Sequence, residues 1–135
     1  MSELHPVLAK ARRRELIDEG IALFERGDYF AAHEAWEEVW RSTTPEPRDL
    51  FQGLVQLAAA FHHLHVKGRP DVARRVLGKA RRRLAAVAPA AEGFDVAALL
   101  GELETWDAWL ATRAGPPPAT PRLYRAGTVT GESAL

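Results

Sequence analysis

A chain of 135 residues with 47% hydrophobic content can build one domain with a real core and is too short for two comfortable ones. Its 18 basic residues balance 18 acidic ones, which removes any global field favouring nucleic acid or an anionic membrane. The absence of cysteine excludes disulfides, thiolate zinc sites and cysteine nucleophiles together. No apolar run reaches the roughly 18 residues that a membrane span needs, and the N-terminus lacks the basic start and apolar stretch of a leader, so a cytoplasmic protein is expected.

In chain order, a first helix is expected over residues 6–26, where Leu8, Ala11, Ile17, Ile21 and Phe24 keep returning to one side. Gly27 should close it in the left-handed conformation, and Asp28 should cap the free N–H groups of the next helix. From Tyr29 onward, a rotation of about 100° per residue gathers Tyr29, Ala32, Trp36, Val39 and Trp40 on one apolar face. Glu34 and Glu38 fall on the opposite side. His33, Glu37 and Arg41 form a row along the edge between them, at i, i+4 spacing.

Ser42-Thr43-Thr44-Pro45-Glu46-Pro47 reads as a loop, because each proline disfavours helix at the residue before it. The third helix, over residues 48–67, is apolar almost all the way round and belongs in the middle of a bundle. Its exception is a narrow stripe of Gln52, Gln56 and His63, with His62 and His65 expected to point elsewhere. Gly68-Arg69-Pro70 ends this helix and opens a fourth, proline being suited to a first helical position.

Val72, Ala73, Val76, Leu77, Ala80, Leu84 and Val87 make the seam of the fourth helix, and Arg74, Arg75, Lys79, Arg81, Arg82 and Arg83 give it a basic exterior with almost no acid mixed in. Asp95 has the place of an N-cap, with Phe94 and Leu99 spaced as a hydrophobic staple, for a fifth helix that carries Val96, Leu99, Leu100, Leu103, Trp106 and Leu110 to about Thr112. From Gly115-Pro116-Pro117-Pro118 the chain should run as an extended tail, dock through Leu123 and Tyr124, and then fray. The expected organisation is a helical domain over residues 1–113 and a Pro/Gly-rich tail over 114–135.

A repeat is visible as well. Aligning Gly27-Asp28-Tyr29 with Gly68-Arg69-Pro70 also sets Ala32 on Ala73, Trp36 on Leu77 and Val39 on Ala80. This pattern of helix, glycine turn and helix resembles the tetratricopeptide class of helical hairpins. Two such hairpins and a closing helix predict an all-α, compact bundle of five helices rather than a solenoid, which needs at least about three repeats.

The run from Phe24 to Arg41, with Phe51-Gln52-Gly53-Leu54-Val55-Gln56-Leu57-Ala58-Ala59-Ala60-Phe61-His62-His63 after it, resembles the domain-of-unknown-function family numbered 309. The resemblance implies a small all-helical bundle and no established activity. The positions that match the family's signature are His33, Glu34, Trp36, Glu37, Trp40, Arg41, Gln52, Gly53, Gln56 and His63, with His62 the weaker of the histidine pair.

The chemistry these residues suggest has several readings. His33, Glu37, Gln56 and His63 could form a buried hydrogen-bond network that locks the second helix on the third. The same network could floor a cleft walled by Trp36, Trp40, Tyr29 and Phe30 and hold a small polar ligand, making the protein a binding or interaction module. A competing class is a metal-dependent enzyme, a hydrolase by preference, with His33, Glu37 and His63 on a divalent ion and Glu34 as an optional further ligand. His33-Glu34-Ala35-Trp36-Glu37 lacks the second histidine of a zincin, so no resident cofactor is the first expectation.

General acid–base work by His33 with Glu37 as orienter is a further reading, although no nucleophile, oxyanion hole or glycine-rich phosphate cradle accompanies it. The basic fourth helix, with Arg12 to Arg14, is a third candidate surface. A neutral chain with no aromatics among those arginines argues against nucleic acid, while pairing with Glu34 and Glu38 of a second copy would make a homo-oligomer.

Overall fold

Gly27, at φ +91°, closes the first helix as its sequence position requires. In the computed structural model, which describes residues 9–42 and 45–126, the N–H of Asp28 donates to the carbonyl of Leu23 at 2.8 Å and that of Gly27 to Phe24 at 3.0 Å. This paired closure satisfies carbonyls that the helix end would otherwise leave open. Asp28 does not cap the next helix with its side chain. Its backbone is committed to the closure, and the carboxylate lies 4.0 Å from Arg26 instead.

Five helices result: α1 (Lys10–Glu25), α2 (Tyr29–Trp40), α3 (Arg48–His65), α4 (Pro70–Ala85) and α5 (Val96–Thr112), with β1 (Ala90–Ala91) and β2 (Phe94–Asp95) between the last two. Pro70 occupies the first turn of α4, and Asp95 Oδ1 accepts the N–H of Ala98 at 2.9 Å to cap α5, both as expected. The expected start of α1 at Pro6, Thr43 and Thr44 of the loop, and the fraying end of the tail lie outside the described residues. Among the described residues, no helix is long and apolar enough to cross a membrane.

The helices pack mainly on their neighbours in chain order, so α3 is held between α2 and α4, with α1 outside α2 and α5 outside α4. The fold is all-α, two helical hairpins and a closing helix, around one core. Trp36, Phe24, Phe51, Leu54, Leu57, Leu77, Leu84 and Trp106 are among its largest buried side chains. α3 buries Leu50, Phe51, Leu54, Leu57, Ala58 and Phe61 on its inner side. The side left over carries Gln52, Val55, Gln56, Ala59, His62 and His63, all only half-buried.

Two glycines set how close the layers come. A methyl group at Gly20 of α1 would fall within the indole of Trp36, and one at Gly53 of α3 would lie 2.8 Å from Cγ of Leu84 on α4. Glycine at these positions exchanges helix propensity for backbone approach.

The connection between α4 and α5 contains a hairpin that the sequence reading did not anticipate. Ala90 pairs with Asp95 and Ala91 with Phe94 across a turn whose central residues, Glu92 and Gly93, both have positive φ (51° and 81°). Two such residues make the turn whose twist matches an antiparallel pair.

The tail is fastened to the bundle. Trp106 Nε1 donates to Ala119 O at 2.9 Å, Trp109 Nε1 to Gly115 O at 3.1 Å, and Arg125 donates to Asp18 of α1 at 2.9 Å. Leu123 is buried, as expected. Tyr124 is not: it is 52% exposed. Alternation along an extended segment turns one of two successive side chains outward, and the guanidinium of Arg122 covers the outward ring at 5.4 Å.

Candidate functional site

The helical rotation of α2 delivers the row that its spacing predicts. His33 Nδ1 stands 3.7 Å from Glu37 Oε1, and Arg41 Nη2 lies 3.5 Å from Glu37 Oε2. Neither distance is that of a hydrogen bond. Glu37 therefore lies near His33 without being the fixed orienter that a general base would need.

Phe30 stacks on His33 at 6.2 Å with the rings nearly parallel, and meets His62 of α3 at 5.6 Å. These contacts close a cavity of about 120 Å³ lined by Phe30, His33, Ala59, His62 and His63. His33 and His63, whose imidazoles were expected to converge, both line this cavity. His62, expected to point elsewhere, joins them because it and His63 flank Ala59 on the helix surface, and a methyl group is too small to keep the two rings apart. A small residue followed at i+3 and i+4 by histidine was the signal available in the sequence.

Five buried side-chain atoms among the described residues lack a hydrogen-bond partner: Nδ1 of His33, His62 and His63, Oε1 of Gln56 and Nε1 of Trp40. All five belong to α2 and α3. The other three indoles are all paired, since Trp36 Nε1 donates to Ile17 O at 3.2 Å and Trp106 and Trp109 donate to the tail. The hydrogen-bonded network expected of His33, Glu37, Gln56 and His63 is thus not formed.

The reason lies in the direction each residue faces. Gln56 opens toward α4, into a furrow of about 530 Å³ lined by Asp49, Gln56, Lys79, Arg82, Arg83 and Ala86. Gln52 is half-buried on the same outward side, and Glu34 is exposed to solvent. Trp36 and Tyr29 do not wall the site. Trp36 is fully buried, and Tyr29 meets Phe24 edge-on at 5.1 Å in the core. Trp40 is half-buried, and Phe30 remains from the expected aromatic wall.

The metal reading required His33, Glu37 and His63 on one ion. Among the described residues, no group of three or more histidine and carboxylate side chains is placed to hold one, and Glu37 is occupied by Arg41. The basic exterior expected of α4 is broken by carboxylates from its neighbours. Arg74 and Arg81 reach Asp107 of α5 at 3.0 and 3.6 Å, and Arg83 reaches Asp49 of α3 at 3.0 Å.

Burial holds the pKa of His63 below its ordinary value, and the positive charges of His62, Arg69, Lys67 and Arg75 lower it further. His65 is lowered by burial against Tyr29, Phe61 and Trp106. Below the ordinary value of 6.5 the unfolded chain therefore binds protons that the folded chain refuses, so this share of stability is complete above 6.5 and is lost as pH falls through the lowered values. Urea titrations should show the unfolding midpoint falling between about pH 7.5 and about pH 5.5, with a smaller fall in a His63→Gln, His65→Gln variant.

No curated protein and no solved structure matches the chain. One family model does, described as Domain of unknown function (DUF309), and it covers residues 17–76. That span runs from α1 into α4 and contains every residue lining the histidine cavity. Over this segment, rather less than half of its length, the chain is similar to the DUF309 family.

Proposed function

We propose that the protein is a small helical binding module that takes one compact, ring-sized group, from a small molecule or a partner's side chain, in the cavity between α2 and α3. The observation that supports this most is that His33, His62 and His63, each with a buried Nδ1 that has no hydrogen-bond partner, line one cavity of about 120 Å³. A buried polar atom left without a partner costs about 1–3 kcal/mol. A ligand that supplies a donor or acceptor there recovers that cost on binding, whereas a purely structural role would have paired the atoms within the protein. The remaining walls, Phe30 and Ala59, are apolar and favour a flat hydrocarbon body.

This reading prefers binding over metal-dependent hydrolysis, because convergence of imidazoles alone supports recognition, while hydrolysis needs a carboxylate that Arg41 now engages. Phenol, one ring with one hydroxyl, is a suitable probe. Titrated into isotopically labelled protein, it should give saturable shifts at the imidazoles of residues 33, 62 and 63 and at the Ala59 methyl, with millimolar affinity. Ala59→Leu, which fills the space, should abolish them. Shifts that are absent, or that are spread over the surface and survive this substitution, would remove the cavity as a site.

A further inference from the structure

The two walls of the furrow between α3 and α4 follow from helix geometry. Residues three, four and seven apart share one helix face, so Lys79, Arg82, Arg83 and Ala86 line it from α4. Asp49 and Gln56, two turns apart and about 10 Å along the axis, line it from α3. Gly53 lies between them and sets how near α4 comes, since a methyl group there would stand 2.8 Å from Leu84 Cγ and 3.3 Å from Arg83 Cβ.

The lining is polar and its charges do not balance. Three cations share it with one carboxylate, and that carboxylate, Asp49, is already engaged by Arg83 at 3.0 Å. The side chains of Lys79, Arg82 and Gln56 make no hydrogen bond or ion pair with any described residue. On the α5 side of the same helix the charges are better matched. The depression lined by Arg74, Arg75 and Arg82 also has Asp71 and Asp107, and the one lined by Arg81 and Arg82 has Glu104. In a chain with no net charge, an excess of two positive charges along one furrow of about 530 Å³ is a local asymmetry.

We infer that this furrow is a second binding site, for a small phosphate monoester whose body carries hydroxyl groups, as a sugar phosphate does. The charge selects the head group. A monoester carries about −1.5 to −2 charges at pH 7 and matches the excess, whereas a carboxylate or a phosphodiester carries one charge and leaves a cation unneutralised. Lys79 and Arg82 stand one helical turn apart, so one phosphate can meet both, the guanidinium as a planar fork of N–H donors and the ammonium as a point charge. Gln56 selects the body. Its carboxamide holds a donor and an acceptor, which answer the donor and acceptor of a hydroxyl. Small-molecule sites run from about 300 to 1,000 Å³, so the furrow has room beyond the phosphate for a short polyol. No lining residue is shared with the histidine cavity, and either site can fail without the other.

The test compares glycerol 3-phosphate, dimethyl phosphate and a single-stranded oligonucleotide without a terminal phosphate on the full chain, by calorimetry and by shifts of the Gln56 side-chain amide and the Ala86 methyl. Glycerol 3-phosphate should bind saturably, shift both groups, and bind at least about tenfold more tightly than dimethyl phosphate. A Lys79→Gln, Arg82→Gln variant, changed at exposed positions, should lose about tenfold or more of that affinity. Lys10→Gln, Arg14→Gln, which removes the same charge from exposed positions of α1, should bind as the parent does. Gln56→Leu should weaken glycerol 3-phosphate and leave inorganic phosphate unchanged. Equal affinity for monoester and diester, equal losses in the two double variants, or shifts scattered over the surface overturn the inference. An oligonucleotide that binds more tightly than glycerol 3-phosphate also overturns it and gives the furrow to a nucleic acid. A Gln56→Leu change that weakens both phosphates alike, or neither, strikes out the hydroxyl-bearing body.

Discussion

Replacing Trp36 by alanine should lower the free energy of unfolding by about 3–5 kcal/mol, the range for deleting a large aromatic from a core. The indole is fully buried, its Nε1 is bonded to Ile17 O at 3.2 Å, and its ring lies 6.1 Å from that of Phe24. It also rests on the bare backbone of Gly20, where a methyl group would fall within the ring. Gly20→Ala alone should therefore be destabilising by about 1–3 kcal/mol through overpacking, although alanine is the better helix former.

The two substitutions should not add. With the indole gone, the methyl at position 20 meets empty space and the helix regains about 0.5–1 kcal/mol of propensity, so Gly20→Ala becomes stabilising in the Trp36→Ala background. Urea titrations of the four proteins read this sign reversal directly. Simple additivity would mean that α1 and α2 are not held apart by this side chain.

The helical scaffold was legible in the sequence because its punctuation is local. Gly27, Pro70 and Asp95 mark helix ends through backbone conformations and caps that depend on a few neighbouring residues, and each does so where the spacing indicates. Trp36 and Trp40 were read alike, one helical turn apart. Only the position of α1 separates them, by giving Trp36 a glycine to rest on and a carbonyl to bond, while Trp40 Nε1 is left without a partner.

The same limit governs the site. A helical rotation gives the angle of Gln56 on α3 but not the side on which α4 lies, and α4 takes Gln56 out of the histidine cluster. His62 enters it because Phe30 of α2 reaches across. The hairpin at Glu92 and Gly93 is stabilised by distant partners, Arg13 on the Glu92 carboxylate at 2.8 Å and Arg125 on the Glu92 carbonyl at 2.9 Å, which local sequence does not announce.

Phe61→Ala should be the second large loss, again about 3–5 kcal/mol. This ring is 2% exposed and meets Phe24 at 5.4 Å, Tyr29 at 5.6 Å, His65 at 5.9 Å and Trp106 at 4.9 Å. It is where side chains from α1, α2 and α5 converge on the C-terminal half of α3. Phe61→Leu keeps most of the volume and gives up the edge-on contacts, worth about 0.5–1.5 kcal/mol per aromatic pair, and should cost well under half as much as alanine.

Near-ultraviolet circular dichroism should lose the Trp106 signal in both variants, while the urea midpoint falls sharply for alanine alone. Phe61 faces the core, whereas His62 and His63, next along the chain, face the cavity, so the leucine variant should still bind phenol as the parent does. If the conservative change abolished binding, the cavity would depend on the core contacts at residue 61 more than on the three imidazoles. If alanine cost less than about 1.5 kcal/mol, the aromatic junction would be too loose to hold the end of α3 in place.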